Sequence, residues 1–418
     1  MPSGRPLLSD RPLRRLLFLH PSDELYGADR MLLEMLGSVV ADVEVEVWVP
    51  NDLAHPPDDQ SLCQELTRRG VKVRHMGLPI LRRAYGTPRG VAALLARSVR
   101  LGRDLRRARP SAVYCTTSAA FLCAPLARLA GVRRVIGHVQ EIWSSSDGAV
   151  LSGPARACDT LLCISDAVAA SLPAGLRRRT VVVPNGTLEP ARVTSLDDRS
   201  GPLRFLVASR WNGWKGHRTL LDAWDRAGAP GHLVVLGGPP LSGESVDVTA
   251  LVAGLDDPGS VSVVGEVADS STAYEEADVV IVPSDKPEPF GLIAIEAFAR
   301  GRPVIASAAG GLLEIVTPGG DGWFFPPKDA AALAELLSSL TRDDVRTAAV
   351  AARRTFDERF TAKRFAEGWR EAVFTEQGAT ERPLGTPDRR RRLFSGRRGA
   401  RTGHAAARSR HRGGSPHG

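Results

Sequence analysis

The 418-residue chain has few of the features that mark several common protein classes. Its five cysteines are odd in number and show no Cys-x2-Cys spacing, so buried free thiols in a reducing compartment explain them better than disulfides or a zinc site. The absence of any run of eighteen apolar residues predicts that no segment spans a membrane. Four arginines and the lack of a continuous apolar stretch in the first fifteen residues argue against a secretory signal. We therefore expect a cytoplasmic protein.

Three motifs for nucleotide or metal binding are also missing. No Gly-x-Gly-x-x-Gly follows the first apolar run, and no Gly-x4-Gly-Lys-Ser/Thr occurs, which argues against a nicotinamide site and a P-loop. The chain contains no Asp-x-Asp, an acidic pair that often holds a divalent cation on a diphosphate. These absences predict a protein without a bound metal or cofactor.

Short apolar runs alternate with longer amphipathic ones along most of the chain, and 43% of the residues are hydrophobic. Seven runs fall between Leu13–His20 and Thr180–Pro184, and six more fall between Arg204–Ser209 and Gly322–Phe325. Strands that alternate with helices are typical of parallel sheets with helical crossovers. The pattern predicts an α/β protein with two doubly wound, Rossmann-like domains that face a cleft.

The predicted domain boundaries follow changes in composition. The N-terminal domain covers residues 1–190, and the C-terminal domain covers residues 203–377. Between them, residues 191–202 are polar and lack periodicity, as expected of a linker.

A basic tail is predicted from residue 378 to the end. It contains eleven arginines and two acidic residues, so it carries a net charge of +9 while the other residues together carry −1. Its low apolar content predicts disorder. Two interpretations stay open: the tail binds an anionic membrane surface, at about 1 kcal/mol per basic residue, or it is a solubilising appendage without a specific partner.

Two glutamates stand out in the second half of the chain. The run Leu292–Ala299 is apolar all round except for Glu296, which predicts a helix that is buried on most sides. A buried carboxylate needs hydrogen-bond donors, and a pair of ribose hydroxyls would supply them. Glu288 lies in a proline-containing loop just before Phe290 and Gly291, whose amides begin the helix, so a polar ligand would meet an acceptor and donors together. Alternatively, Glu288 is a solvated residue of the loop, and Glu296 lies on a narrow solvent-exposed stripe of the helix.

Arg210 and Lys215 flank a loop between a predicted strand and a predicted helix. Glycines at 213 and 216 allow its backbone to approach a ligand closely. Two fixed cations beside the start of a helix favour a diphosphate, because charge-assisted hydrogen bonds and the helix terminus act on the same anion. An arginine and a lysine in a loop are more often solvated when considered alone. Together with the two glutamates, they indicate a site for a nucleotide sugar.

These motifs resemble those of the retaining GT-B glycosyltransferases of family 4, also called the glycosyl transferases group 1. The resemblance covers most of residues 14–375. Its most specific part is Glu288-Pro-Phe-Gly with Glu296, followed by Gly301-Arg-Pro-Val-Ile-Ala306 and Gly310-Gly311. Val183-Pro-Asn-Gly186 also matches.

The resemblance assigns roles to the second-half residues. Arg210 and Lys215 would bind the donor diphosphate, and Glu296 would bind the ribose. Glu288 would hold the donor sugar together with the amides that follow it, those of Phe290 and Gly291.

Two residues of the first half also receive roles from the resemblance. Gly27, in Tyr26-Gly-Ala-Asp-Arg30, would lie in a loop that closes over the reaction centre, although the family usually has two glycines before its Ala-Glu-Arg. His138, in Gly-His-Val-Gln-Glu, looks like the family's histidine that faces the donor sugar. Both belong to the half that the resemblance places on the acceptor side.

The activity implied by the resemblance is a metal-independent, retaining transfer of a hexosyl or related sugar. The donor would be a UDP- or GDP-linked sugar and the acceptor a glycan or glycolipid, as in cell-surface glycan synthesis, in the cytoplasm or at the inner membrane face. Alternatives are a sugar-nucleotide epimerase or phosphorylase on the same fold, or a noncatalytic sensor of sugar nucleotides whose tail binds membrane or nucleic acid. The presence of both cations and both glutamates argues against the sensor.

Overall fold

Two parallel sheets organise the computed structural model of the chain. The structure describes residues 13–24, 27–39, 43–53, 61–82, 87–240 and 244–375. The basic tail predicted from residue 378, and Tyr26 of the N-terminal motif, lie outside the described residues, so the prediction for the tail stays a prediction.

Each of the thirteen predicted apolar runs overlaps a strand. The strands are β1 (Arg15–Leu19), β2 (Glu44–Pro50), β3 (Lys72–Met76), β4 (Ala112–Cys115), β5 (Arg134–Val139), β6 (Thr160–Cys163), β7 (Thr180–Val182), β8 (Leu203–Ala208), β9 (Gly231–Leu236), β10 (Val261–Gly265), β11 (Val279–Val282), β12 (Val304–Ser307) and β13 (Gly322–Phe325).

Helices connect the strands, as crossovers between parallel strands require. They are α1 (Gly27–Gly37), α2 (Leu62–Arg68), α3 (Pro88–Ala108), α4 (Cys123–Leu129), α5 (Ser145–Ala155), α6 (Asp166–Ser171), α7 (Ala174–Arg177), α8 (His217–Arg226), α9 (Val248–Ala253), α10 (Ser271–Glu276), α11 (Leu292–Ala299), α12 (Leu312–Ile315), α13 (Ala330–Ser339), α14 (Arg342–Arg359) and α15 (Ala362–Phe374). Within the described part of the chain, no helix is both long enough and apolar enough to cross a membrane.

The strand order confirms the predicted fold class. The first sheet has the order β3-β2-β1-β4-β5-β6-β7 and the second the order β10-β9-β8-β11-β12-β13, and all of their paired strands run parallel. The order reverses between β1 and β4 in the first sheet and between β8 and β11 in the second. Ligands of doubly wound sheets bind at these switch points, beyond the carboxyl ends of the strands.

The central strands form because their residues are apolar on both faces. All four residues of β11, Val-Val-Ile-Val, are buried, and so are all four of β4 and of β12. Helices cover both faces of such a sheet, which explains continuous apolar runs without alternation. The polar residues that follow these strands are therefore brought to one edge of each sheet.

The last helix returns to the first sheet, although it follows the second sheet in the chain. Trp369 of α15 donates a hydrogen bond from Nε1 to the Tyr114 hydroxyl at 3.1 Å, and its ring stacks 6.3 Å from Phe18. The predicted linker lies on the second half: Arg199 forms an ion pair with the buried Asp278 at 2.8 Å. The predicted domain boundaries at residues 190 and 203 stay predictions.

Candidate functional site

The loops after β8 and β11 face each other at the switch point of the second sheet. Val279 and Val280 of β11 pair with Phe205 and Leu206 of β8, so the segments that leave these strands are neighbours. The loop after β8 carries both predicted cations, and the loop after β11 carries Glu288. The strand pairing thus brings together side chains that lie more than seventy residues apart in sequence.

Lys215 and Glu288 form an ion pair in this structure. Lys215 Nζ lies 2.7 Å from Glu288 Oε1 and 4.2 Å from the centre of the Trp214 ring. The Ser284 hydroxyl donates a second hydrogen bond to the same carboxylate oxygen. Glu288 is only 6% exposed, so its charge is held by a cation and a hydroxyl, as a buried carboxylate requires.

Glycine at position 216 allows the cation loop to lie against the loop after β11. Its φ of 75° is in the left-handed region, and a Cβ there would lie 1.9 Å from the carbonyl oxygen of Pro283. No other residue fits both the conformation and the space. Gly216 therefore sets how closely Lys215 approaches Glu288.

A pair of glycine substitutions separates these two requirements. Gly319 has a similar φ of 69°, but nothing lies within 4 Å of the Cβ position. We expect Gly319→Ala to lower the free energy of unfolding by roughly 1–2 kcal/mol, the cost of the left-handed conformation alone. Gly216→Ala should cost more, roughly 2–4 kcal/mol, because the overlap with Pro283 adds to that cost. Denaturant midpoints of the two variants check this, and equal losses would contradict the steric argument.

The Gly310-Gly311 pair after β12 supports the backbone of Glu288. Gly311 N donates to the carbonyl oxygen of Glu288 at 2.8 Å, and a Cβ at Gly310 would lie 2.2 Å from that oxygen. Phe290 is buried, and α11 begins directly after Gly291, as the sequence predicts. The roles predicted for the Phe290 and Gly291 amides stay predictions.

Glu296 lies on α11 at the edge of the cleft between the sheets. Tyr274 donates its hydroxyl to Glu296 Oε2 at 2.9 Å, and Arg30 of α1 lies 3.9 Å from Oε1. The side chain is 20% exposed, and burial holds the pKa of its carboxyl above the usual value despite Tyr274 and Arg30. Because a carboxylate accepts about four hydrogen bonds, this arrangement retains acceptor capacity for ligand hydroxyls.

The N-terminal loop meets the same helix. A Cβ at Gly27 would lie 3.0 Å from Leu292 Cδ1, so the start of α1 packs against the start of α11. The predicted loop residue and the predicted ribose ligand, Glu296, are thus at neighbouring positions. The larger side chain of any other residue at 27 would push against Leu292.

A buried polar cluster supports this loop from the first sheet, and the sequence analysis did not identify it. His20 follows β1 and binds Thr116 through Nδ1 and Asp29 through Nε2, both at 2.7 Å. Ser22 also donates to Asp29 at 2.7 Å. The available signal was a histidine at the carboxyl end of the first strand, next to the switch point of that sheet.

Arg210 acts electrostatically on Glu24 of the first half. Its charge opposes the rise in the pKa of Glu24, although burial and Asp29 still hold that pKa above its usual value. Glu24 belongs to the loop after β1, and Arg210 to the loop after β8. Lys215 is bound to Glu288, and Arg210 acts electrostatically on Glu24 of the opposite loop.

His138 lies near the carboxyl end of β5, and its Nε2 has no hydrogen-bond partner among the described residues. It is fully buried on β5, its Nδ1 lies 3.1 Å from the Tyr114 hydroxyl, and burial lowers its pKa to about 3. The next side chain on the same side, Gln140, follows the strand end and donates to Thr116 O at 2.9 Å. The sugar-facing role of His138 stays a prediction.

Contacts that no sequence motif predicts close the cleft on one side. Glu314 accepts hydrogen bonds from the amides of Asp166 and Ala167 at 2.8 and 2.7 Å, and Ser165 donates to Pro289 O at 2.6 Å. These contacts join the start of α6 to α12 and to the loop that carries Glu288. A small cavity is lined by Lys215, Ser284 and Glu288 among others.

Two family models match the chain, one in each half. The model described as Glycosyltransferase Family 4 matches residues 26–187, and the model described as Glycosyl transferases group 1 matches residues 202–343. A D-inositol 3-phosphate glycosyltransferase of Xylanimonas cellulosilytica is 35% identical over 251 residues, or 57% of this chain. The match spans 58% of that relative's length.

Solved structures resemble the chain over nearly all of the two sheets. Anabaena HepE in complex with UDP-glucose superposes with a TM-score of 0.71 at 22% identity, over 86% of this chain and 99% of that chain. A glycosyltransferase from Rickettsia africae gives a TM-score of 0.66 at 19% identity, over 87% of this chain and 100% of that chain. At these identities the likeness establishes the fold, which is the GT-B arrangement of two Rossmann-like domains.

Proposed function

The chain belongs to the glycosyl transferases group 1, within glycosyltransferase family 4, and on this basis we propose that it moves a sugar from a nucleoside-diphosphate donor to an acceptor hydroxyl with retention of the anomeric configuration. The observation that supports the proposal is the ion pair between Lys215 and Glu288 beside the switch point of the second sheet, with Arg210 in the same loop as Lys215. Lys215 and Glu288 are in contact there, and Glu296 lies on the helix that starts just beyond them.

The donor is proposed to be a UDP- or GDP-linked sugar. The complex of Anabaena HepE with UDP-glucose, a protein with the same fold, supports a nucleotide-sugar donor. The diphosphate would lie between Lys215 and Arg210, the ribose at Glu296, and the sugar at Glu288. A phosphate in this position would compete with Glu288 for the Lys215 ammonium and so leave the carboxylate to accept sugar hydroxyls.

The chemistry asked of the protein is mainly positioning and charge stabilisation. The bond between the anomeric carbon and the phosphate oxygen breaks, and the acceptor oxygen bonds to that carbon on the same face. A phosphate oxygen of the departing diphosphate takes the acceptor proton. Arg210 and Lys215 stabilise the negative charge that grows on the diphosphate.

The acceptor is proposed to be a glycan or glycolipid on the side of the first sheet. The similarity to an enzyme named for D-inositol 3-phosphate supports an acceptor hydroxyl. All five cysteines are free and buried, which supports a reducing, cytoplasmic place of work. The tail is a candidate for contact with an anionic membrane surface.

A screen of nucleotide sugars tests the proposal. The donor at a hundred times its dissociation constant should raise the free energy of unfolding by about 2.7 kcal/mol, seen as a higher melting temperature. Incubation of that donor with acceptors, followed by NMR of the product's anomeric proton, tests retention. Failure of every UDP- and GDP-sugar to stabilise the protein would reject the donor site, and an inverted product would reject the mechanism.

Transfer should persist in a chelator. The proposed site neutralises the leaving diphosphate with Arg210 and Lys215, so EDTA should change the initial rate by less than about twofold. The measurement is product formation with and without EDTA, with a metal-dependent transferase as the positive control. Loss of activity that magnesium or manganese restores would show that Arg210 and Lys215 alone do not neutralise the leaving diphosphate.

A further inference from the structure

The backbone of residues 288–291 rests on the start of α12. Gly311, the residue before this helix, donates its amide to Glu288 O at 2.8 Å. A Cβ at Gly311 would lie 2.6 Å from Phe290 Cα and 2.8 Å from Pro289 O. Contacts this close leave the two segments no room to shift independently. The position of α12 therefore determines where the proposed sugar ligands lie.

A buried hydroxyl of the first half binds the same segment. Ser165 is fully buried and immediately precedes α6. Its hydroxyl donates to Pro289 O at 2.6 Å and accepts from Val168 N at 3.0 Å. A serine hydroxyl has a single proton to donate, and here the acceptor is the neighbour of Glu288 and not a group of the helix. Ser165 thus joins the cap of α6 to the loop that carries the proposed sugar ligand.

A carboxylate on α12 makes the second link between the halves. Glu314 Oε2 accepts from Asp166 N at 2.8 Å, and Oε1 accepts from Ala167 N at 2.7 Å. The first amides of a helix have no partner within it, so Glu314 supplies from the second half the acceptors that α6 lacks. The carbonyl oxygen of Glu314 accepts from Arg359 Nη2 at 2.7 Å, which holds α12 against the end of α14. These bonds leave little freedom between α6 and α12.

We propose that Ser165 and Glu314 are positioning residues for the sugar transfer, because together they hold the backbone of residues 288–291 in register with the first half. This role rests on the proposed function, in which the sugar lies at Glu288 and the acceptor lies on the side of the first sheet. Transfer requires the anomeric carbon and the acceptor oxygen to meet at a separation of about 3–3.5 Å. The two links set that separation through the backbone.

A purely stabilising role for these contacts predicts a different outcome. The proposed ligands of the nucleoside diphosphate, Arg210, Lys215 and Glu296, all belong to the second half, so loss of a link to the first half should leave the diphosphate bound. The rate of transfer should fall, because the sugar and the acceptor are no longer held at a fixed distance. A lower kcat with an unchanged affinity for the diphosphate therefore distinguishes positioning from a general loss of stability.

Ser165→Ala tests the first link in the full-length protein. It should lower kcat by about tenfold and leave the Kd of UDP or GDP, whichever binds the parent, within about twofold. Thr341→Ala is the matched control, since it also removes a hydroxyl that caps a helix, in this case α14. Among the described residues, the hydrogen bonds of the Thr341 hydroxyl are with Asp344. Both changes should lower the melting temperature, but Thr341→Ala should leave kcat within about twofold.

Hydrogen exchange followed by mass spectrometry tests the second link without any transfer reaction. Glu314→Ala removes both acceptors, so the amides of Asp166 and Ala167 should exchange at least about tenfold faster. Glu314→Gln keeps the shape and one acceptor oxygen, and should therefore lie between the parent and Glu314→Ala in both exchange rate and kcat. Glu335→Ala, which removes an exposed glutamate of α13, is the control for loss of a charge and should change neither.

Three results would overturn the proposal. Parent-like kcat in folded Ser165→Ala and Glu314→Ala variants would leave the links with a stabilising role only. Equal losses of kcat and of diphosphate affinity would show that the changes disturb the whole donor site. Unchanged exchange of the Asp166 and Ala167 amides in Glu314→Ala would remove the second link.

The parent protein separates this inference from the proposed function. If the parent transferred no sugar from any donor, the proposed function would fail and the positioning role with it. An active parent with unchanged variants would reject the positioning role alone.

Discussion

Replacing Lys215 with alanine is expected to lower kcat/KM for sugar transfer by roughly ten- to a hundredfold, because a charge-assisted contact of about 1.5–3 kcal/mol to the leaving diphosphate is lost. The structure adds a second reason. Lys215 is the cation that holds the buried Glu288 at 2.7 Å, so its removal also disturbs the proposed sugar ligand. Arg210→Ala should have an effect of similar size through the diphosphate alone.

The matched control for this loss of charge is Arg226→Ala. Arg226 lies at the end of α8, the helix that follows the cation loop. Among the ion pairs of the described residues, its one partner is the surface carboxylate of Asp222, at 2.9 Å. Its removal should leave turnover within about twofold, as expected of an exposed ion pair. The measurement is steady-state transfer, with melting temperatures to confirm folding. If a folded Lys215→Ala or Arg210→Ala variant transferred sugar at the parent rate, the diphosphate assignment would be wrong.

Substitutions of the two glutamates should affect the affinity for the nucleoside diphosphate alone in different ways. Glu296→Gln should weaken binding of both the diphosphate and the full donor, by about tenfold, because the ribose is common to both. Glu288→Gln should slow transfer and leave the affinity for the diphosphate unchanged or higher. The reason is the ion pair: the change releases Lys215 from a competing carboxylate.

Calorimetric titration of both variants measures these effects. Tyr274→Phe is the matched control for the orientation of the Glu296 side chain. It keeps the carboxylate and removes only the hydroxyl that donates to Glu296 Oε2 at 2.9 Å. Tyr274→Phe should weaken binding of the diphosphate by less than Glu296→Gln does. It should not change the effect of Glu288→Gln on transfer. The opposite pattern, with affinity lost in Glu288→Gln and kept in Glu296→Gln, would reverse the orientation of the donor in the cleft.

The sequence was sufficient for the elements and for the chemistry of single motifs. Strands such as β11 are continuous apolar runs, and their burial follows from composition alone. The segment before α11 and the helix itself lie where the proline-containing loop and the apolar run predict them. Local patterns of this kind need no knowledge of which strands are neighbours.

Side-chain direction required the tertiary structure. His138 lies within β5 and matches a motif, and its Nδ1 faces the Tyr114 hydroxyl, to which Trp369 of α15 also donates. In a strand, neighbouring residues face opposite sides, so a shift of one position exchanges the core for the cleft. A pattern of residue types does not predict which face of the first sheet the last helix of the chain will cover.

Pairings between distant residues also depended on the fold. Lys215 meets Glu288 because β8 and β11 are adjacent, and Glu314 caps α6 across 147 residues because the two sheets face each other. The sequence by itself determined the strands, the helix that carries Glu296 and the choice of the four charged residues proposed for the donor site. The tertiary structure decided which of these residues touch, because contact depends on strand order and on how the two sheets face each other, which no local pattern encodes.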